Sequence, residues 1–234
     1  MKDILDLHTH TIFSGHAYST LTENVKAAAE RGLVLYGCAD HSLGMRGILP
    51  PWFFSNFGRI PRELYGVRIL MGAEFNIMDE EGHIDFEPDK FSWLDYGIAG
   101  FHIPCYRCTD AAKNTETYIK VMQNPLVNII AHPDDSRYPV DYEKLVAAAK
   151  RYHKLLELNN SSLRPESGRK NARENDLVML ELCRQYQTPV ILGSDAHFWT
   201  EVGDHERALA LLAEISFPEE LVVNFDEKRI FEFI

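Results

Sequence analysis

Asp6-Leu7-His8-Thr9-His10, at the end of the short apolar run that begins at Ile4, decides how the chain is read. On a β-strand, residues i and i+2 point to the same side, so both imidazoles can reach one ion. Endings of this kind recur downstream. His41 closes the run Leu33 to Ala39, and Glu74 follows Arg68 to Gly72. His102 follows Tyr96 to Ala99, His132 follows Val127 to Ala131, and Asp195 and His197 follow Val190 to Leu192. His16 lies in the loop after the first run. One further strand, Leu155 to Leu158, ends without such a residue; Asn159, Ser161 and Ser162 follow it.

Amphipathic stretches separate several of these strands. Thr20-Leu21-Thr22-Glu23 is a capping box, and Gly32 is a stop for the helix it opens. Later helices are expected over Ala111 to Met122, over Tyr142 to Tyr152 behind an Asp141 cap, and over Asn171 to Tyr186. Alternating β and α elements imply a parallel sheet, though periodicity alone does not separate an open sheet from a barrel. The placement of the polar residues does. Six of seven strands end in a metal-ligand type, and a closed barrel gathers its carboxyl ends at one mouth, whereas an open sheet would spread them along a line. A lone histidine at a strand end is usually structural, but core packing has no use for an imidazole or carboxylate at six strand ends. The expectation is an α/β fold, a seven-stranded (β/α) barrel in one domain spanning residues 1–234. His83, His153 and His205 have no partners in sequence and read as solvated surface residues.

Bulk properties narrow the function. A chain of 234 residues buries roughly 70% of its unfolded surface and needs no disulfide or metal to fold. Its net charge of -11 argues against a general nucleic-acid binder. Four irregularly spaced cysteines point to a reducing compartment, and Asp3 falls where a signal peptide would have its apolar core, so the cytoplasm is expected. No apolar run approaches the roughly 20 residues of a membrane span. Cys105 and Cys108 form a lone Cys-x-x-Cys, without the second pair a structural zinc needs.

Taken together, these motifs, with His16-Ala17-Tyr18-Ser19-Thr20 and Leu158-Asn159-Asn160-Ser161-Ser162, closely resemble the PHP family, named for polymerase and histidinol phosphatase, and within it the small stand-alone YcdX-like phosphatases. The resemblance covers essentially the whole chain. It implies a distorted (β/α)₇ TIM-like barrel and three divalent ions, usually zinc. It puts His8, His10, Glu74 and Asp195 on one ion, Glu74, His102 and His132 on a second with Glu74 bridging, and His16, His41 and His197 on a third. Imidazole and carboxylate donors without thiolates suit zinc, and also manganese or iron.

The chemistry expected of such a centre is hydrolysis of a small phosphate monoester. The ions lower the pKa of bound water to supply a hydroxide nucleophile and bind the phosphoryl oxygens. Their charge outweighs the two carboxylates, making the mouth locally cationic in an acidic protein. Asp6 and Asp40, beside His8 and His41, are the candidates for proton transfer or for orienting the imidazoles. Asn159, Ser161 and Arg164 are the candidate substrate contacts, with Arg169 and Arg46 in neighbouring loops. The aromatic segment from Gly44 to Arg59, with Trp52, Phe53, Phe54 and Phe57, reads as a lid or wall over the mouth, with core packing as the alternative. Competing functions are a histidinol-phosphate phosphatase, a phosphodiesterase or nuclease of the same family, and a non-catalytic metal-binding domain. Homo-oligomerisation stays open.

Overall fold

Seven parallel strands build the sheet. They are β1 (Leu5–Asp6), β2 (Leu35–Cys38), β4 (Val67–Asn76), β5 (Tyr96–Gly100), β6 (Ile129–Ile130), β7 (Leu155–Asn159) and β8 (Val190–Gly193), paired in that order. β3 (Glu63–Leu64) adds to β4 antiparallel. The computed structural model describes residues 2–45, 52–87 and 93–234. Arg46 and part of the expected aromatic wall lie outside these.

The sheet curls until its two edges nearly meet. At the carboxyl end, Thr9 bridges Ala196 in parallel, and the His10 N–H donates to the Ala196 carbonyl at 2.9 Å. At the amino end the side chain of Asn224 bridges the seam. It accepts from the Leu192 N–H at 2.7 Å and donates to the carbonyls of Leu5 and Leu192 at 3.0 and 2.9 Å. An amide side chain thus replaces ladder bonds that the short β1 cannot make. The expected barrel is the observed one.

Strand alternation sorts two apolar layers. Leu5, Leu35, Leu70, Ile98, Ile129, Leu155 and Ile191 fill the barrel, while Tyr36, Met71, Phe75, Leu156, Leu158 and Leu192 pack outward. Helices cover the outward layer: α1 (Leu21–Arg31), α2 (Ala111–Met122), α3 (Tyr142–Tyr152), α4 (Ala172–Tyr186) and α5 (Glu206–Glu214), with a short α6 (Glu227–Ile230). Both halves of the capping box at Thr20 and Glu23 form, and Gly32 ends α1 at φ 76°, a conformation that favours glycine. The first four helices fall where the sequence places them. α5 does not announce itself, because His205 precedes it without a side-chain cap.

Two expectations change. His205 is a buried residue, its Nδ1 2.7 Å from Asp3 and its Nε2 3.6 Å from Asp6. The partners come from the opposite end of the chain, so local sequence could not reveal them. In the aromatic segment, Phe54 and Phe57 are buried in the outer core, with Phe54 against Phe86; Trp52 is exposed. Its described part packs chiefly on the barrel flank. Among the described residues no helix is long and apolar enough to cross a membrane.

Candidate metal centre

Glu74 sits on β4, inward-facing and 1% exposed, and a parallel bridge to His41 extends the β2–β4 pairing to this level. Five imidazoles surround its carboxylate. Oε1 lies 3.0 Å from His132 Nε2, 3.1 Å from His102 Nε2 and 3.4 Å from His8 Nε2. Oε2 lies 2.9 Å from His41 Nδ1 and 3.5 Å from His10 Nε2. Asp195 Oδ1 completes the inner ring, 3.3 Å from His10 Nε2 and 3.6 Å from His8 Nε2.

The strand ends explain this convergence. His8, His102, His132 and Asp195 each stand two residues beyond their strand; His102 and Asp195 keep the inward phase of Ile98 and Ile191, whereas His8 and His132 come one residue after the inward Leu7 and Ala131. His132 and Asp195 hold left-handed backbone, φ 30° and 54°, which is costly for residues with a Cβ and is found where a side chain must be aimed. Gly100 leaves room for the His132 ring, which a Cβ there would meet at 2.7 Å.

The donors fit divalent cations. Ligands in a tetrahedron of 2.0–2.1 Å bonds stand about 3.3 Å from one another, within the spread of separations here. His8 Nε2, His10 Nε2, His41 Nδ1 and Glu74 Oε2 are buried without a hydrogen-bond partner, an arrangement that a bound ion would resolve. The far nitrogens of four rings are held by acceptors. His8 Nδ1 donates to Glu157 Oε1 at 2.6 Å, and the Nδ1 atoms of His16 and His197 donate to the carbonyls of Ser14 and Asp195, both at 3.0 Å. His10 Nδ1 donates to Ser14 Oγ at 3.0 Å, because that hydroxyl gives its own proton to Asp40 Oδ1 at 2.6 Å. A fixed Nδ1–H leaves the lone pair on Nε2, the ligand form of histidine. Four compact groups result: His8–His10–Glu74, His8–His132–Asp195, His41–Glu74–His102 and His10–His41–His197. His16 lies outside them, exposed at the rim with its ring 5.1 Å from His41 and 4.6 Å from His197.

Charges in the pocket are strongly coupled. Burial works against ionised Glu74 and Asp195, yet the facing His41, His102 and His8 hold Glu74 well below the usual carboxylate range, and His8 and Arg169 do so for Asp195. Burial also disfavours the His8 imidazolium, but Glu157, Glu74 and Asp195 raise its pKa well above the ordinary value. Burial pushes His102 down to about 4, and burial with His197 and His41 pushes His10 well down. Protons and divalent ions compete for these nitrogens.

The surrounding residues take roles that sequence only partly anticipates. Asp40 acts through Ser14 on His10, and also accepts from the Thr11 N–H and hydroxyl, both at 2.7 Å. Asp6 accepts from the backbone N–H of His8 at 3.3 Å and from Ser194 and Gly203; the carboxylate on the ring of His8 is Glu157. Glu157 Oε2 also accepts from the His132 N–H at 2.8 Å. It was legible in principle, because Leu155, Glu157 and Asn159 alternate inward on β7. Asn159 donates to Glu157 and Asp195, and Arg169 donates to Asp195 Oδ2 at 2.9 Å. Ser161 is half-buried on the following loop. Arg164 is engaged by Glu201 and Asp204, and Glu201 in turn accepts from the His197 N–H. Cys105, one turn beyond His102, and Cys108 are both free thiols.

A match to the PHP domain covers residues 6–209. The chain belongs to the PHP domain family. Over its full length this PHP chain is 42% identical to a protein named probable phosphatase from Thermoanaerobacter sp. (strain X514), covering 95% of that relative, and 39% identical to one from Clostridium novyi (strain NT), also at 95%. In fold, the PHP barrel is similar to histidinol phosphate phosphatase from Lactococcus lactis subsp. lactis Il1403, a structure complexed with zinc, L-histidinol and phosphate. The TM-score is 0.64 at 18% identity, covering 92% of this chain and 95% of that one. It also resembles a chain of archaeal ribonuclease P with mature tRNA, at TM-score 0.57 and 16% identity, covering 98% and 87%.

Proposed function

We propose that the chain, acting as one PHP domain over residues 1–234, is a phosphatase that hydrolyses small phosphate monoesters at a centre of three divalent ions, zinc first, with manganese or iron as alternatives. The observation that carries this is the carboxylate of Glu74, ringed by five imidazole nitrogens at 2.9 to 3.5 Å. The names of full-length relatives support the reaction. His8, His10, Glu74 and Asp195 hold one ion; Glu74, His102 and His132 hold the second; His16, His41 and His197 hold the third.

When bound, the ions supply Lewis acidity that activates water and offsets phosphoryl charge. The chain's own residues prepare the site for them. Glu157 and the Asp40–Ser14 pair keep His8 and His10 in the tautomer that presents Nε2. Arg169 and Asn159 hold Asp195 Oδ2, so that Oδ1 faces the centre. Ser161 stands on the β7 loop as a substrate contact. Arg164, already paired with Glu201, braces the His197 backbone.

The test is metal content together with turnover of a phosphomonoester panel. Metal-loaded protein that hydrolyses several monoesters supports the reading. Activity confined to histidinol phosphate would select that narrower enzyme, and loaded protein inert toward the whole panel would make the domain a non-catalytic metal binder.

A further inference from the structure

Four of the candidate ligands stand on the two strand ends that the barrel does not join by a ladder. His8 and His10 follow β1, and Asp195 and His197 follow β8. Among the described residues these strands share only the isolated bridge from Thr9 to Ala196. Ligand atoms nevertheless face each other across this seam, with Asp195 Oδ1 3.3 Å from His10 Nε2 and 3.6 Å from His8 Nε2. Metal bonds vary in length by only about 0.2 Å, so the width of the seam must be fixed by something other than a ladder.

Asp6 is placed to fix it. Its buried carboxylate gathers donors from both sides of the seam. Oδ1 accepts from the His8 N–H at 3.3 Å and from the Ser194 N–H at 3.2 Å. Oδ2 accepts from the Ser194 hydroxyl at 2.5 Å and from the Gly203 N–H at 2.8 Å. His8 is a ligand on one arm, and Ser194 directly precedes the ligand Asp195 on the other. A buried carboxylate is costly unless a cation faces it. His205, also buried, is that cation, with Nδ1 2.7 Å from Asp3 and Nε2 3.6 Å from Asp6 Oδ1. Nε2 makes no hydrogen bond, so its hold on Asp6 is one of charge. Burial works against the imidazolium, but Asp3 and Asp6 raise its pKa to about 9.

We propose that Asp6 and His205 form a clasp that sets the distance between the two ligand-bearing arms, both being positioning residues for the ion that His8, His10 and Asp195 share across the seam. This rests on the metal-centre reading above and adds to it a pair that acts through the backbone.

Zinc affinity of the full chain, measured by competition with a chromophoric chelator where every variant is folded, tests the clasp apart from turnover. His205→Gln removes the cation with little change of shape and should weaken zinc binding by about 10-fold. Asp6→Asn should cost at least as much. The double variant should bind no more weakly than Asp6→Asn alone, because His205 acts through Asp6. Ser194→Ala is milder, leaves the Asp6–His205 pair intact and should cost about threefold. Val146→Ala, in the core beneath α3, should lower Tm without changing zinc affinity, which separates positioning from loss of stability. Wild-type affinity in His205→Gln overturns the inference and leaves the metal centre standing, as does wild-type affinity in Ser194→Ala should His205→Gln not fold. Losses that simply add in the double variant also overturn it, since His205 would then act independently of Asp6. A wild type that binds no zinc overturns both readings.

Discussion

Glu157 Oε1 lies 2.6 Å from Nδ1 of His8, and Oε2 of the same carboxylate accepts the backbone N–H of His132 at 2.8 Å. One side chain thus orients two candidate ligands. Gly193, on the neighbouring β8, leaves the space it occupies, since any Cβ there would overlap Oε1.

Glu157→Gln keeps the shape but removes the charge on the His8 ring. Loss of such an outer carboxylate typically costs 10- to 100-fold in metal affinity or activity. Metal titration monitored by competition with a chromophoric chelator should show that loss. Wild-type affinity in the variant would mean that Glu157 is only packing.

His205 gives the protein a pH-dependent stability. Burial alone would depress its pKa, but Asp3 and Asp6 raise it to about 9, against an ordinary value near 6.5. A raised histidine stabilises fully below the unfolded value and loses that contribution as pH rises through the folded one. Stability should therefore fall between pH 6.5 and 9 by up to about 3 kcal/mol from this group. Urea midpoints across that range should decline in the wild type and decline less in His205→Gln. Parallel slopes would refute the assignment.

Asp176 has the opposite character. Both its carboxylate oxygens are buried without a hydrogen-bond partner, and burial next to Asp134 holds its pKa well above the usual range. A raised carboxyl is penalised as pH climbs above its unfolded value, so the cost is present at neutral pH. Asp176→Asn should be neutral or raise Tm by a few degrees at pH 8. A drop of more than about 5 °C would show that the charge is needed.

Chelation should stop turnover without unfolding the barrel. The interior below Glu74 is a continuous apolar layer from Leu5 to Ile191, and Asn224 closes the seam, so the fold is expected to stand without ions. Far-UV circular dichroism after EDTA treatment should be unchanged while activity vanishes. Loss of the helical signal would make the metals structural.

Much of this was readable in the chain because strand phase is a local property. His8 and His10, like Asp195 and His197, repeat at the two-residue interval of a strand, and their positions at successive strand ends already imply a mouth. What escaped was set by contacts distant in sequence. Glu157 looks like a chance acid in Leu155-Leu156-Glu157-Leu158 until β7 is placed beside Gly193 of β8. His205 reads as solvated until Asp3 and Asp6 arrive from the other end of the chain. Arg164 seems available to a substrate until Glu201 is folded onto it. Asp6 adjoins His8 in sequence, yet it braces the backbone, and the ring goes to Glu157.

Stripping the metal and restoring zinc stepwise, while following p-nitrophenyl phosphate hydrolysis, tests whether the Glu74 centre carries the reaction. Stripped protein should show no turnover, activity should rise to a plateau at about three equivalents per chain, and Glu74→Ala should not recover at any zinc level. Turnover in stripped protein, or a fully loaded wild type that cleaves no phosphomonoester, would contradict it.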